Sequence, residues 1–276
     1  MRARGHFLRR RDNTKTQTRA VSAEPQHIRI SDIVAKHEEP PWSEWLFTDG
    51  RNNVGLICDA PGLENAAHIH KDFNEWWIVL QGEVIWEIGD YPQIRAKAGD
   101  VVICPKRQRH SIKTVGTEPS LRLYINAPWS NHDNRGERSS ILQPAPDVTE
   151  PPNMLLSSKE AFIENFGAPP WATSLLDDER NKANLIGHSQ GMTNNAHWHP
   201  DFNEWWTILQ GDLTFQVGED RPLIEATQGD IVFVPEGMKH FISSVGEGTS
   251  LRLAVTNSEN QHIYTADDDS APPPIS

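Results

Sequence analysis

Cysteine is nearly absent, with Cys58 and Cys104 the only two in 276 residues. They form neither a CxxC pair nor a dense framework, which excludes a disulfide-stapled scaffold and fits a reducing, cytoplasmic setting. Both sit in apolar, strand-like runs and read as small buried hydrophobes. No apolar stretch reaches the roughly 18 residues that a membrane-spanning helix needs, so no membrane partner is expected. Positive charge is scarce beyond the N-terminus. The net charge is −12, yet the first twenty residues hold seven Lys or Arg against one Asp. The body is therefore more acidic still, repels phosphate backbones and argues against nucleic acid as a partner. The opening MRARGHFLRRRDNTKTQTRA has no apolar core and is not a secretory signal. Residues 1–25 read as a disordered basic tail, with organelle targeting the less favoured alternative.

What the chain has in abundance is itself. HKDFNEWWIVLQG at 70–82 returns as HPDFNEWWTILQG at 199–211, an offset of 129 with ten of thirteen positions identical. PPW at 40–42 returns at 169–171, and Asp49, Arg51 and Asn52 return as Asp178, Arg180 and Asn181. Beyond Gly89 and Gly218 the offset becomes 130, carrying Pro105 to Pro235, His110 to His240 and SLRL at 120–123 to 250–253. One residue is inserted in a turn, with both flanks kept in phase, which is what two copies of one fold would show. VIWEI at 84–88 and LTFQV at 213–217 alternate with period two, as half-buried strands do, while VVICP at 101–105 and IVFVP at 231–235 read as strands buried on both faces. Helix is scarce. SSKEAFIENFG at 157–167 is the best candidate, capped by serine and stopped by Gly167, and it is expected to pack on the second copy.

His68 and His70 are two apart, so on a strand both imidazoles leave one face. Glu75 is an odd step further on, and the turn formers Asp72 and Asn74 supply the change of phase that lets it join them. His110 opens a later strand and can reach the same interior. Three imidazoles and one carboxylate suit a borderline divalent metal. The second copy repeats the set as His197, His199, Glu204 and His240. A lone strand histidine is more often structural than ligating, but two undamaged sets at matched spacing point to about two metals per chain. Trp77 and Trp206 fall on the glutamate side of their strands and are candidate cavity walls, with Trp76 and Trp205 left for a sheet or subunit contact. Arg122 and Arg252, set between leucines, are candidate partners for a substrate carboxylate, although a salt bridge to Asp or Glu is the more frequent role.

Each copy resembles a cupin barrel. The motif G-x5-H-x-H-x4-E-x6-G is met by Gly62, His68, His70, Glu75 and Gly82, and again by Gly191, His197, His199, Glu204 and Gly211. The second motif is met by Gly229, Pro235, Gly237 and His240; in the first copy Gly99, Pro105 and His110 fit, but Arg107 replaces the inner glycine. The resemblance implies an all-β chain of two tandem cupin (jelly-roll) barrels with a short helical linker. Its expected limits are an N-terminal barrel at 26–130, a linker at 131–156, a C-terminal barrel at 157–262 and an acidic, Pro-rich disordered tail at 263–276. It also implies a bicupin enzyme acting on a small molecule, with Fe(II) or Mn(II) favoured and Ni(II) or Zn(II) as alternatives. The first expectation is a dioxygenase using O2 on a small aromatic or carboxylate-bearing metabolite, with Glu75 or Glu204 as the base. The alternatives are a non-redox isomerase, lyase or decarboxylase, and a binding protein without turnover. The more regular second motif favours the second copy as the active one. Exposed sheet edges and outward tryptophans suggest a homodimer or larger assembly.

Overall fold

The computed structural model of the chain describes residues 20–264 apart from 137, 138, 140, 145 and 149. Most of the basic N-terminal tail (1–19) and of the acidic C-terminal tail (265–276) lies outside the described residues. The first half runs β1 (Gln26–Ile28), α1 (Ile30–Val34), β2 (Trp42–Thr48), β3 (Asn53–Asp59), β4 (His68–Ile69), β5 (Glu75–Gln81), β6 (Glu83–Ile88), β7 (Ile94–Lys97), β8 (Val101–Cys104), β9 (Arg109–Val115) and β10 (Ser120–Asn126). The second runs β11 (Leu156–Ser157), α2 (Lys159–Phe166), β12 (Trp171–Asp177), β13 (Lys182–Ser189), β14 (Glu204–Gln210), β15 (Leu213–Val217), β16 (Ile224–Ala226), β17 (Ile231–Val234), β18 (His240–Ser244) and β19 (Thr249–Thr256). The inserted residue falls between β15 and β16, whose turn spans 218–223 against 89–93 between β6 and β7.

Each half closes two sheets over one interior. In the first, the order β11-β8-β5-β10-β3-β2 faces β4-β9-β6-β7; in the second, β1-β17-β14-β19-β13-β12 faces β16-β15-β18. Strand alternation sorts the side chains. Glu75, Trp77 and Val79 of β5 turn inward with Val84, Trp86 and Ile88 of β6, and Trp206, Leu213, Phe215 and Val217 do the same in the second barrel. The opposite faces of the two large sheets pack on each other. There Trp76 and Trp205 stack at 6.1 Å, within one continuous core that also holds Ile78, Val101, Ile103, Ile231 and Phe233. The runs read as buried on both faces are so: Val102 and Cys104 point into the barrel while Val101 and Ile103 point at the other barrel. Cys58 and Cys104 are free and buried.

Two features depart from chain order. Strand β1 pairs with β17 of the second barrel, and β11 pairs with β8 of the first. The halves thus trade edge strands, so that β8 and β17 are covered from within while β2 and β12 stay at the other edges of the two large sheets. Helix α2 forms where expected; its polar contacts fasten it to the first barrel, while Phe162 and Ile163 pack on the core that both barrels share. The Lys159 amide donates to Asp100 at 3.1 Å and Lys97 pairs with Glu160 at 2.6 Å. The short β11 dictates this, because it delivers the chain to the edge of β8 just before the helix starts. At its C-terminal end α2 meets the second barrel directly, where Phe166 stacks on Trp171 at 5.1 Å.

The repeated Asp-x-Arg-Asn segments, given no role by the sequence reading, join the barrels. Asn52 and Asn181 exchange amide hydrogen bonds of 2.7 and 3.0 Å. Arg51 donates to the Asn203 carbonyl and Arg180 to that of Asn74, each reaching the turn just before the other barrel's glutamate.

Candidate metal centres

His68 on β4 and His110 on β9 are cross-strand neighbours, and His70 follows β4 directly. The bend at 70–74 then carries the chain to the opposite sheet, so Glu75 faces the imidazoles across the barrel. In the second barrel His197 bridges to His240 in the same way. Each set offers four buried donor atoms within 4.8 Å of one another. Glu75 Oε2 lies 2.9 Å from His70 Nε2, 3.1 Å from His110 Nε2 and 3.8 Å from His68 Nε2. Glu204 Oε2 lies 2.6 Å from His199 Nε2 and 3.2 Å from His240 Nε2.

The far side of each ring fixes its tautomer. His68 Nδ1 faces the Ala66 carbonyl at 3.0 Å and His70 Nδ1 that of Asn131 at 2.6 Å; His197, His199 and His240 face those of Asn195, Gln261 and Met238 at 2.9, 2.6 and 2.9 Å. A ring that donates through Nδ1 presents a bare Nε2 lone pair. Several lone pairs and a carboxylate then point at one another in a buried space, and His68 Nε2 has no hydrogen-bond partner. A cation at the centre satisfies them all, so the residues fit a divalent metal. Protonation states agree except at His199, where burial is outweighed by the charge of Glu204 and the ring is raised above its usual value. Burial alone would raise Glu204 and Glu75, but His199 and His240 around the one, and His110, His68 and His70 around the other, outweigh it and hold both carboxylates well below their usual range. Burial, helped by His240, holds His197 down to about 3. Charged carboxylate and neutral imidazole are the ligating forms.

A further histidine at each site carries no mark in the motifs. His132 packs 4.5 Å from His68 and 4.8 Å from His70; His262 packs 4.6 Å from His197 and 4.7 Å from His199. Both sit where the chain returns over the barrel mouth after the last strand, and the offset of 130 links them.

The two centres differ in their surroundings. Trp77 is buried against Trp86 and His110, at 5.8 and 5.4 Å, and Trp206 packs alike against Phe215 and His240, at 5.3 and 5.2 Å. Trp206 also lines a cavity of about 240 Å³ with Glu204, His197, His188, Arg252, His262 and Tyr264. Arg122 does not serve as a pocket residue, because its Nη2 donates to the buried Asp59 at 2.7 Å. The partner lies inside the barrel rather than at the surface. Arg252 is equally buried, with burial lowering it to about 10, and it opens on the cavity.

The chain matches the Cupin domain family over residues 55–125 and 188–257, just over half its length. It is a bicupin. Solved structures similar to this bicupin include a variant of oxalate decarboxylase from Bacillus subtilis, at a TM-score of 0.58 and 16% identity, covering 91% of this chain and 82% of that one. The formate complex of Lactobacillus farciminis oxalate decarboxylase gives 0.56 and 16%, covering 91% of each chain. A Cupin 2 conserved barrel domain protein from Leptotrichia buccalis gives 0.62 and 13%, covering 86% of this chain and 99% of that one. At such identities the likeness is one of fold. A search of curated protein sequences finds no match.

Proposed function

We propose that this bicupin is a metal-dependent lyase of the decarboxylase kind, acting on a small carboxylate in the second barrel. The observation that carries the reading is the opening of the second donor set onto a cavity that also holds Arg252, whereas the matching Arg122 of the first barrel donates to Asp59. Manganese is the first choice of metal, since a similar structure is titled for the Mn(II) centres of Bacillus subtilis oxalate decarboxylase. Two of the three similar structures described above are oxalate decarboxylases, so the oxygenase expectation stands behind the non-redox one.

Four protein donors leave coordination positions free, and a bound divalent cation supplies Lewis acidity there, drawing electron density from a substrate oxygen. The chain's own part is positioning. Trp206, Ile186 and Ile242 wall the cavity with apolar surface and limit water. Loss of CO2 leaves the bonding electron pair on carbon, which then takes a proton. His262 and Tyr264, at the mouth, are the groups placed to pass one in. Glu204 holds a metal position and remains ionised.

The test is elemental analysis of protein purified without added metal, then CO2 release from a panel of small carboxylates with and without O2. Release that proceeds without O2 uptake and is lost in His240→Ala is expected. Substrate loss in step with O2 consumption would restore the oxygenase reading.

A further inference from the structure

Resting on the reading of the second centre as the working one, we propose that Arg252 and His188 form a carboxylate-binding subsite that the first barrel lacks, and that its ligand is a monocarboxylate with an apolar body. The two barrels provide the comparison. In the first, Arg122 sits across from Ile57 and Asp59 across from Ser120 on paired strands β10 and β3. Arg122 donates to Asp59 through Nη2 at 2.7 Å and to Ser120 through Nη1 at 3.2 Å, so a carboxylate of the chain itself occupies the guanidinium.

In the second barrel Arg252 sits across from Ile186, and the position of Asp59 is taken by His188, across from Ser250. The substitution removes the carboxylate and keeps the arginine. Arg252 is 2% exposed, and its Nε and Nη1 have no hydrogen-bond partner; His188 Nδ1 is unpartnered too. A buried guanidinium with no carboxylate hydrogen-bonded to it, only the charge of Glu204 nearby, is costly to keep, and its planar fork matches one carboxylate in two-point contact. Both residues line the cavity that Glu204 and His197 also line. A ligand held by Arg252 therefore lies within reach of the metal donors.

Space for the rest of the ligand comes from a second difference. Tyr124, beside Trp77 in the first barrel, lies over Gly55, whereas Ala254 holds the matching place beside Trp206. The cavity of about 240 Å³ equals the share of about eight waters in bulk liquid. Among polar neighbours such as Asn194, Asn195 and Tyr264, its apolar walls Ile186, Trp206 and Ile242 offer surface for a hydrocarbon or aromatic body.

The experiment titrates full-length protein with benzoate and with benzamide, following heat and tryptophan fluorescence, on the metal-loaded chain and again after chelation. One benzoate per chain is expected, with benzamide at least about tenfold weaker. Arg252→Met and His188→Asp should each weaken benzoate at least about tenfold without changing metal content. His188→Asp should also raise the melting temperature, by giving Arg252 the partner that Arg122 has. Absence of benzoate binding, equal binding of the amide, two benzoates per chain, or affinity unchanged in both variants overturns the subsite. Benzoate binding as expected, with no CO2 released from any carboxylate, leaves the subsite standing and refutes the lyase reading.

Discussion

Arg107 and Gly237 occupy the same turn in the two barrels, with φ of 67° and 75°. Their amides donate to the carbonyls of His70 and His199 at 2.7 and 2.6 Å, so the turn fixes a metal ligand in both cases. A side chain in that left-handed region costs on the order of 1 kcal/mol. Gly237→Ala is therefore expected to lose about 1 kcal/mol in a thermal or denaturant melt while keeping its metal, whereas Arg107→Gly should gain a few tenths or more. The donor sets give a second expectation. His110→Ala and His240→Ala should each lower metal content by one of the two sites, measured by elemental analysis, and an unchanged metal count would remove that site. These residues were legible in the sequence because spacing and repetition both mark them. The pairing of Arg122 was not, since Asp59 lies 63 positions away and only the strand register brings the two together. His132 and His262 carried a usable signal in the offset, but lying outside either motif they drew no notice.

At the scale of elements, alternation sufficed for β5, β6 and their copies, because one face of each strand is dictated by a packed interior, and an unbroken apolar run ended by proline sufficed for β8 and β17. The same rule sent Trp76 and Trp205 away from the metal, and the structure shows that their contact is with each other. What could not be read was the destination of short strands. Three residues of β1 and two of β11 carry too little pattern to say which edge they join. Strand β1 still has a consequence that can be measured. Its register against Ile231, Val232 and Phe233 covers the outer edge of the second large sheet, and an uncovered edge recruits other chains. Deleting residues 1–29 is expected to raise self-association in light scattering at micromolar concentration, with both metals still bound. A truncated chain that scatters like the parent would show that β1 is dispensable.

Taken whole, the molecule has a larger shared core than two beads on a string would have. Leu56, Ile78 and Leu123 from one half and Leu185, Leu253 and Val255 from the other belong to one buried cluster, so neither barrel can unfold without stripping the other's outer face. Calorimetry on metal-loaded protein should show one cooperative transition, and two well-separated peaks would contradict the shared core. The metal centres lie on the same chain of contacts. Arg180 rests 5.2 Å above Phe73, which stacks on His70 at 4.5 Å, and Arg51 rests 5.7 Å above Phe202, which stacks on His199 at 4.3 Å. The fold class and both ligand sets could be seen in the repeat, but this crossing could not, because a repeat reveals what two copies have in common and not what each lends the other. The traded strands bear on ancestry. A duplicated gene usually leaves one copy free to be lost, but once each product supplies the border of its neighbour, deleting either half leaves the survivor with a frayed rim and a bare face. The two copies are then inherited as a unit, and divergence such as His188 standing where the first barrel has Asp59 becomes the route by which they can specialise.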